Sequence, residues 1–100
     1  MQLIQTLDRT PFGYERIQVT SLLAIGLSAA FTADSRLNAV YLTIEDNSIR
    51  YRIDGDDPDA DNGHLVYATQ SMYFVDKASI RNLSMLGIGG NAYAIVTYYI

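Results

Sequence analysis

Two stretches in which apolar and polar residues alternate constrain the fold of this chain more than any other feature. Residues 40–45 read Val-Tyr-Leu-Thr-Ile-Glu, and residues 48–53 read Ser-Ile-Arg-Tyr-Arg-Ile. A period of two residues is typical of a strand with one buried face. Asp46 and Asn47 lie between the stretches, and both residue types tolerate the left-handed conformation that a tight turn requires. The pattern therefore predicts a β-hairpin with an aliphatic inner face and a polar outer face.

Further strand signals recur along the chain between clusters of turn residues. Regular ones cover residues 15–20, 64–68, 72–75 and 92–100, and irregular ones cover 21–31, with a bend at Gly26, and 79–88, with a bulge. No segment shows a convincing helical period. One hundred residues suffice for one domain with one modest core. We therefore expect an all-β domain, a single antiparallel β-sandwich or jelly-roll-like barrel over residues 15–100, preceded by an N-terminal arm over residues 1–14.

The charge of the chain is concentrated in one place. The formal net charge is −4, and five of the eleven acidic residues lie within residues 54–61, so the charge without them would be −4 + 5 = +1. Nucleic-acid binding needs clustered Lys and Arg, so no such partner is expected. No apolar run approaches the roughly 20 residues that cross a bilayer, so no membrane is expected either. The absence of cysteine excludes disulfides and thiolate metal sites.

Residues 54–63, which we call the aspartate loop, follow the second alternating stretch directly. Asp57, Asp59 and Asp61 are spaced like the first ligands of a calcium loop, but the sixth and twelfth positions lack the Gly and Glu of that motif. The three aspartates are calcium candidates, and the alternatives are a solvated loop tip or an acidic contact with an arginine-bearing neighbour. Because close carboxylates repel each other, we expect the loop to be either mobile or neutralised.

Residues that could carry catalysis are sparse. His64 is the single histidine, and neither a zinc site nor a nucleophile–base pair can be assembled around it from the sequence. Gly87, Gly89 and Gly90 lack the Lys-Ser/Thr of a phosphate-binding loop and lead into a strand, so they predict a hairpin turn. We expect no catalytic residue, no cofactor and no enzymatic activity.

The composition favours a role in protein–protein contacts over a role in catalysis. The chain has eight tyrosines, and six of its seven basic residues are arginine, both of which are favoured at interfaces. Residues 95–100 are apolar on both faces, so this last strand should be central in its sheet or covered by another subunit. The predicted interface residues lie in the arm, before the aspartate loop and in the last strand: Leu3, Ile4, Leu7, Arg50, Arg52, Tyr98 and Tyr99.

A strand–loop–strand pattern runs through the last two thirds of the chain. Its segments are Ala39-Val40-Tyr41-Leu42-Thr43-Ile44-Glu45, Arg50-Tyr51-Arg52-Ile53-Asp54-Gly55, Pro58, Gly63-His64-Leu65 and Val96-Thr97-Tyr98-Tyr99. Together these segments, within residues 39–100, resemble the small virion proteins of tailed bacteriophages. The aspartate loop departs from that family's pattern in its high aspartate content.

The resemblance implies a structural protein without chemistry. Members of this family are β-sandwiches that lie on or between capsid and tail components, usually as oligomers. We therefore expect a capsid decoration or cement protein, located in the virion and assembled in the host cytoplasm. Its partners would be the major capsid protein or other virion subunits, with a trimer as the expected homo-oligomer. A tail, neck or adaptor component is the alternative, and a carbohydrate- or calcium-binding β module is an alternative of another class.

Overall fold

A computed structural model of the chain describes residues 9–100. Seven strands make up most of its regular structure: β1 (Pro11–Val19), β2 (Ala39–Glu45), β3 (Ser48–Arg52), β4 (His64–Val66), β5 (Ser71–Phe74), β6 (Ser84–Ile88) and β7 (Ala92–Tyr99). Two short helices, α1 (Ala29–Thr32) and α2 (Lys77–Asn82), complete it. The domain is therefore mostly β, as predicted. The predicted arm residues Leu3, Ile4 and Leu7 lie outside the described residues.

The strands form two antiparallel sheets that face one shared core. The four-stranded sheet has the order β1-β7-β2-β5, and the three-stranded sheet has the order β4-β3-β6. Both sheets contribute to a single apolar cluster, whose largest fully buried side chains are Tyr98, Leu37, Leu42, Ile44, Ile49, Ile80, Met85, Val19, Val40 and Val96. The described part measures 35 × 33 × 18 Å, so one layer of core side chains separates two broad outer faces.

The two alternating stretches form strands, but they do not form the predicted hairpin. β2 lies in the four-stranded sheet and β3 in the three-stranded sheet. Asp46 takes a positive φ of 77°, as expected for a tight turn, and there the chain passes from one sheet to the other. Alternation reports which side of a strand is buried, and that side is the same in a hairpin and in a corner between two sheets. Here the chain turns a corner, and the aliphatic sides of β2 and β3 both face the shared core.

Three further connections pass between the sheets, and one of them, between β5 and β6, contains α2. Thr69, with a φ of 74°, lies between β4 and β5, and Gly89 and Gly90, with φ of 81° and 144°, lie between β6 and β7. The glycine-rich segment is therefore a turn, but the prediction that it closes a hairpin is wrong. Among the strands of residues 9–100, only β3 and β4 are both consecutive and paired, and the aspartate loop joins them.

Strand β1 begins earlier than the sequence predicts. Its pairing with β7 starts at Pro11, so residues 11–14, which were assigned to the arm, belong to the sheet. After β1, the chain crosses to the edge of β6, where Ile25 pairs with Met85 through hydrogen bonds of 2.9 and 2.8 Å. The expected strand over residues 21–31 is thus reduced to one bridge followed by α1. The close approach of Gly26 to the Leu83 carbonyl, where a Cβ would lie at 2.9 Å, explains the glycine at the predicted bend.

Helix α2 replaces the first half of the strand that the sequence predicts over residues 79–88. Asp76 caps this helix, accepting hydrogen bonds from the backbone N–H of Ala78 at 3.3 Å and from the Ser79 hydroxyl at 2.9 Å. A helix of six residues is too short to establish a 3.6-residue period, and Ile80 is its only buried side chain. The cap at Asp76 was the available signal.

The prediction for the last strand is confirmed. β7 lies between β1 and β2, and its side chains alternate between buried and half-buried along all eight residues. Its apolar character on both faces therefore reflects a central position in the sheet. Neither helix in residues 9–100 has the length or the apolar character needed to span a bilayer.

Candidate functional site

The aspartate loop is held by the strand from which it emerges. Arg50 on β3 donates from Nε to the Ala60 carbonyl at 3.0 Å and from a terminal guanidinium nitrogen to the Gly63 carbonyl at 2.9 Å. Gly63 has a φ of 125°, and a Cβ there would lie 3.0 Å from Pro58 and 3.2 Å from the Arg50 Cβ, so glycine lets the loop close over the arginine. The predicted interface residue Arg50 is thus engaged within its own chain.

Arg52, the second arginine of β3, neutralises the start of the loop. Its guanidinium binds Asp54 through two hydrogen bonds, of 3.0 and 2.5 Å, and reaches Asp56 at 3.4 Å. The hydrogen bond from Arg52 lowers the pKa of Asp54, and the same bond raises the pKa of Arg52. The expected neutralisation is therefore found at the start of the loop, where the positive charge comes from the chain itself.

Two of the three calcium candidates, Asp57 and Asp59, accept hydrogen bonds from different donors. Asp57 accepts a hydrogen bond from the Ser84 hydroxyl at 2.7 Å, which ties the loop to β6. Asp59 accepts from the backbone N–H of Asp61 and Asn62, both at 2.8 Å. The hydrogen bond from the Asn62 side chain, followed by these backbone bonds, lowers the pKa of Asp59. Within residues 9–100 no three acidic or histidine side chains are grouped as a metal site would require. The structure does not bring Asp57, Asp59 and Asp61 together.

A shallow groove of about 370 Å³ lies between the two ends of the loop, lined by Arg52, Ile53, Asp54, Gly63 and His64. The imidazole of His64 is solvent-exposed and lies 5.1 Å from the ring of Tyr51, measured between centroids. Within residues 9–100, this histidine forms no hydrogen bond with a hydroxyl that could act as nucleophile or with a carboxylate that could orient the ring. The groove therefore offers no nucleophile–base pair of the kind that covalent catalysis uses.

A group of tyrosines lies on the outer side of the four-stranded sheet. Five tyrosines, Tyr14, Tyr41, Tyr73, Tyr93 and Tyr99, lie on this side, which we call the tyrosine face. Two of them are solvent-exposed and three are half-buried. Tyrosine supplies a large contact area with little loss of side-chain entropy, which is why protein interfaces are enriched in it.

The side chains of the tyrosine face are ordered by one another. The rings of Tyr41 and Tyr73, on neighbouring strands, are 4.7 Å apart between centroids. Burial, together with the neighbouring Tyr41 and Tyr99, raises the pKa of Tyr73. The guanidinium of Arg16 lies 3.6 Å above the centre of the Tyr93 ring, within range of a cation–π interaction. The face is therefore arranged before any partner binds.

The two predicted interface residues at the end of the chain lie on opposite sides of β7. Tyr99 lies on the tyrosine face, as an interface role requires. Tyr98 points the other way and is fully buried, stacked at 4.3 Å on Phe31, with its hydroxyl donating to the Glu15 carboxylate. Burial, and secondarily Glu15, raises the pKa of Tyr98. The prediction that Tyr98 is an interface residue is therefore wrong, because adjacent residues of a strand face opposite sides.

A second apolar surface, absent from the sequence-based candidates, lies beside β6. Leu22 and Leu23 are 93% and 75% exposed, in a turn that we call the leucine turn. The Thr20 side chain closes this turn through hydrogen bonds with both the backbone N–H and the carbonyl of Leu23, each 3.3 Å long. The sequence predicts that these leucines belong to an irregular strand, and the structure places them in an exposed turn.

Comparison of the chain with protein-family models, with curated proteins and with solved structures finds no significant match. The functional argument therefore depends on the geometry of the described residues.

Proposed function

We propose that this domain is a virion structural protein that decorates a capsid and binds neighbouring subunits through its tyrosine face. The observation that carries this proposal is the face itself, an ordered sheet surface that displays five tyrosines and one arginine. Tyr and Arg are the residue types that concentrate binding energy at protein interfaces. The resemblance of residues 39–100 to small phage virion proteins supplies the biological setting.

We also propose that the two sheets are connected as in a jelly roll. A β-sandwich with jelly-roll-like connections is supported by the three turns, at Asp46, Thr69 and Gly89–Gly90, that carry the chain from one sheet to the other. In jelly rolls, successive strands alternate between two sheets in this way.

Location in particles tests the proposed function. Virions from the source of this chain are purified on a density gradient and probed with an antibody to the protein, and immunogold labelling then locates it. We expect co-sedimentation with particles and gold on the shell. Gold confined to the tail would favour the tail, neck or adaptor role. Absence of the protein from particles would refute both.

A double variant tests whether the protein binds particles through the tyrosine face. Tyr41→Ser combined with Tyr93→Ser removes two rings from the tyrosine face, and we expect recovery on particles to fall at least about tenfold, since aromatic truncations at interface centres commonly cost that much or more. Tyr67→Ser is the matched control, because Tyr67 is 59% exposed but lies outside the face. Equal loss in the control, or no loss in the double variant, would argue against the face as the contact surface.

A further inference from the structure

We infer that the tyrosine face binds a second copy of this chain, packed face to face around a two-fold axis that runs along β7. This inference rests on the proposed role of the face in assembly and names the partner. Four properties of the face support it: its charge pattern, its size, its relief and its strand order.

The charges of the face are self-complementary. Arg16 lies on the edge strand β1, and Glu45 lies at the end of β2, with Tyr93 of β7 adjacent to both. Among residues 9–100, neither side chain forms an ion pair with an oppositely charged group. One positive and one negative charge on a single surface are what an isologous interface needs, because each copy then supplies the partner for the other.

The strand order brings these charges together. A half-turn about an axis along β7 places β1 of one copy over β2 of the other at the same level along the strands. Arg16 is level with Thr43, to which it is connected through Ile95 in the pairing register. Glu45 lies two residues further along the same strand, which is about 7 Å. Sheets packed face to face lie about 10 Å apart, so the two Cα atoms would be about 12 Å apart. The arginine and glutamate side chains together span that distance, so each Arg16 can reach the partner copy's Glu45.

The size and relief of the face also suit a second copy. Four strands spaced about 4.8 Å apart, with β7 eight residues long, give a surface on the order of 500 Å² before side-chain relief is counted. A standard interface buries about 800 Å² per partner, so the face supplies most of that area. Large rings alternate across it with the small side chains of Thr43, Thr97 and Ser71, which permits the interdigitation seen between packed sheets.

The mass of the full chain in solution tests the inference. Analytical ultracentrifugation from about 1 to about 100 μM covers the range in which micromolar association is detected. We expect a species of two chains, with twice the monomer mass of 11.1 kDa. A monomer throughout this range would overturn the inference. So would a trimer, the oligomer expected from the sequence, because an isologous contact closes with two copies.

A charge exchange tests the geometry. Arg16→Glu and Glu45→Arg, each alone, should weaken dimerisation at least about tenfold, because each sets like charges opposite one another. The double variant Arg16→Glu with Glu45→Arg should recover dimerisation to within about threefold, since the pair is restored with reversed polarity. Arg81→Glu, an exposed arginine on α2, is the charge-matched control and should leave the dimer intact. Thermal unfolding of each variant verifies that it is folded.

The outcomes separate this inference from the proposed function. A dimer that resists both single reversals, or a double variant that stays monomeric, overturns the face-to-face arrangement even where the protein is found on virions. A dimer that follows the charge exchange supports the arrangement even where the protein is absent from virions.

Discussion

Asp57 and Ser84 lie 27 residues apart, and a 2.7 Å hydrogen bond between their side chains attaches the aspartate loop to β6. Because Arg50 holds the other end of the loop, the loop is fastened to two different strands of the three-stranded sheet. A run of carboxylates that would otherwise repel one another is thus ordered by neutral and positive donors of the same chain.

The Asp57–Ser84 bond should be measurable by a double-mutant cycle. Asp57→Ala, Ser84→Ala and the double variant are unfolded in urea, and we expect a coupling free energy of about 1 kcal/mol, as for a typical side-chain hydrogen bond. Asp61→Ala in place of Asp57→Ala is the control, since Asp61 is exposed and has no contact with Ser84. A coupling of zero would show that the bond contributes nothing to stability.

Replacing Arg50 with Met should loosen the loop. The variant keeps most of the side-chain volume but removes the donors to the Ala60 and Gly63 carbonyls, so we expect a loss of about 1.5 to 3 kcal/mol in the free energy of unfolding. Hydrogen exchange should show faster amide exchange confined to residues 54–63. Arg81→Met serves as the control, because its guanidinium contacts the Thr32 carbonyl, outside the loop. Unchanged exchange in the Arg50 variant would contradict this description of the loop.

Calcium should have little effect on this protein. Asp57 and Asp59 are engaged by different donors, and the three candidate aspartates are not grouped as a metal site requires. We therefore expect added Ca²⁺ or a chelator to shift the melting temperature by less than about 1 °C, whereas a ligand that binds only the folded state stabilises it increasingly as its concentration rises. Calorimetric titration provides the second readout. A rise in melting temperature with calcium that is abolished by Asp59→Asn would revive the calcium-binding alternative.

Acid should destabilise the protein partly through Asp34. Hydrogen bonds from the Arg36 side chain and backbone lower the pKa of Asp34 to about 2. A carboxylate whose pKa is lower in the folded state stabilises the fold above its unfolded pKa of about 3.9, and this contribution is lost as the pH falls towards 2. Urea unfolding from pH 5 to pH 2 should therefore show a shallower decline for Asp34→Asn than for the original chain. Identical slopes would contradict the assignment.

The buried Tyr98–Glu15 contact should matter for stability. Tyr98→Phe removes the hydroxyl and leaves the Glu15 carboxylate without this donor, so we expect a loss of about 1 to 3 kcal/mol. Since the pKa of Tyr98 is raised in the folded state, its contribution is present below the unfolded value of about 10 and is lost as the pH rises above it. The variant should consequently lose less stability above pH 10 than the original chain, as measured by urea unfolding. Tyr67→Phe, at an exposed tyrosine, is the control.

Several elements could be predicted from local pattern. The alternation over residues 40–45 and 48–53 identified β2 and β3 and the sides on which they are buried, and the apolar run at the end of the chain identified β7 as central. The sequence did not predict helix α2, because six residues are too few to show a helical period. The sequence did not predict the leucine turn either, because only the tertiary structure shows whether a leucine is exposed or belongs to the core.

The candidate surfaces depended more heavily on tertiary structure. The tyrosine face combines residues of four strands that are far apart in sequence, and only their pairing shows that five tyrosines lie on one side. Similarly, the sequence shows five carboxylates within residues 54–61. It does not show that Arg52 binds two of them, that Arg50 binds carbonyls of the same loop, or that Ser84 of β6 donates to Asp57.

By itself, the sequence determined the regularly alternating strands and the faces they bury, because burial of alternate side chains is a local property with a period of two. Only the tertiary structure decided which strands pair, because a hairpin and a corner between sheets bury the same side chains. At Asp46 and at Gly89–Gly90 the chain turns the corner, since only two facing sheets enclose the aliphatic sides of β2, β3, β6 and β7 in one core. The same choice places the five tyrosines of four strands on one outer side of the four-stranded sheet, and so creates the tyrosine face.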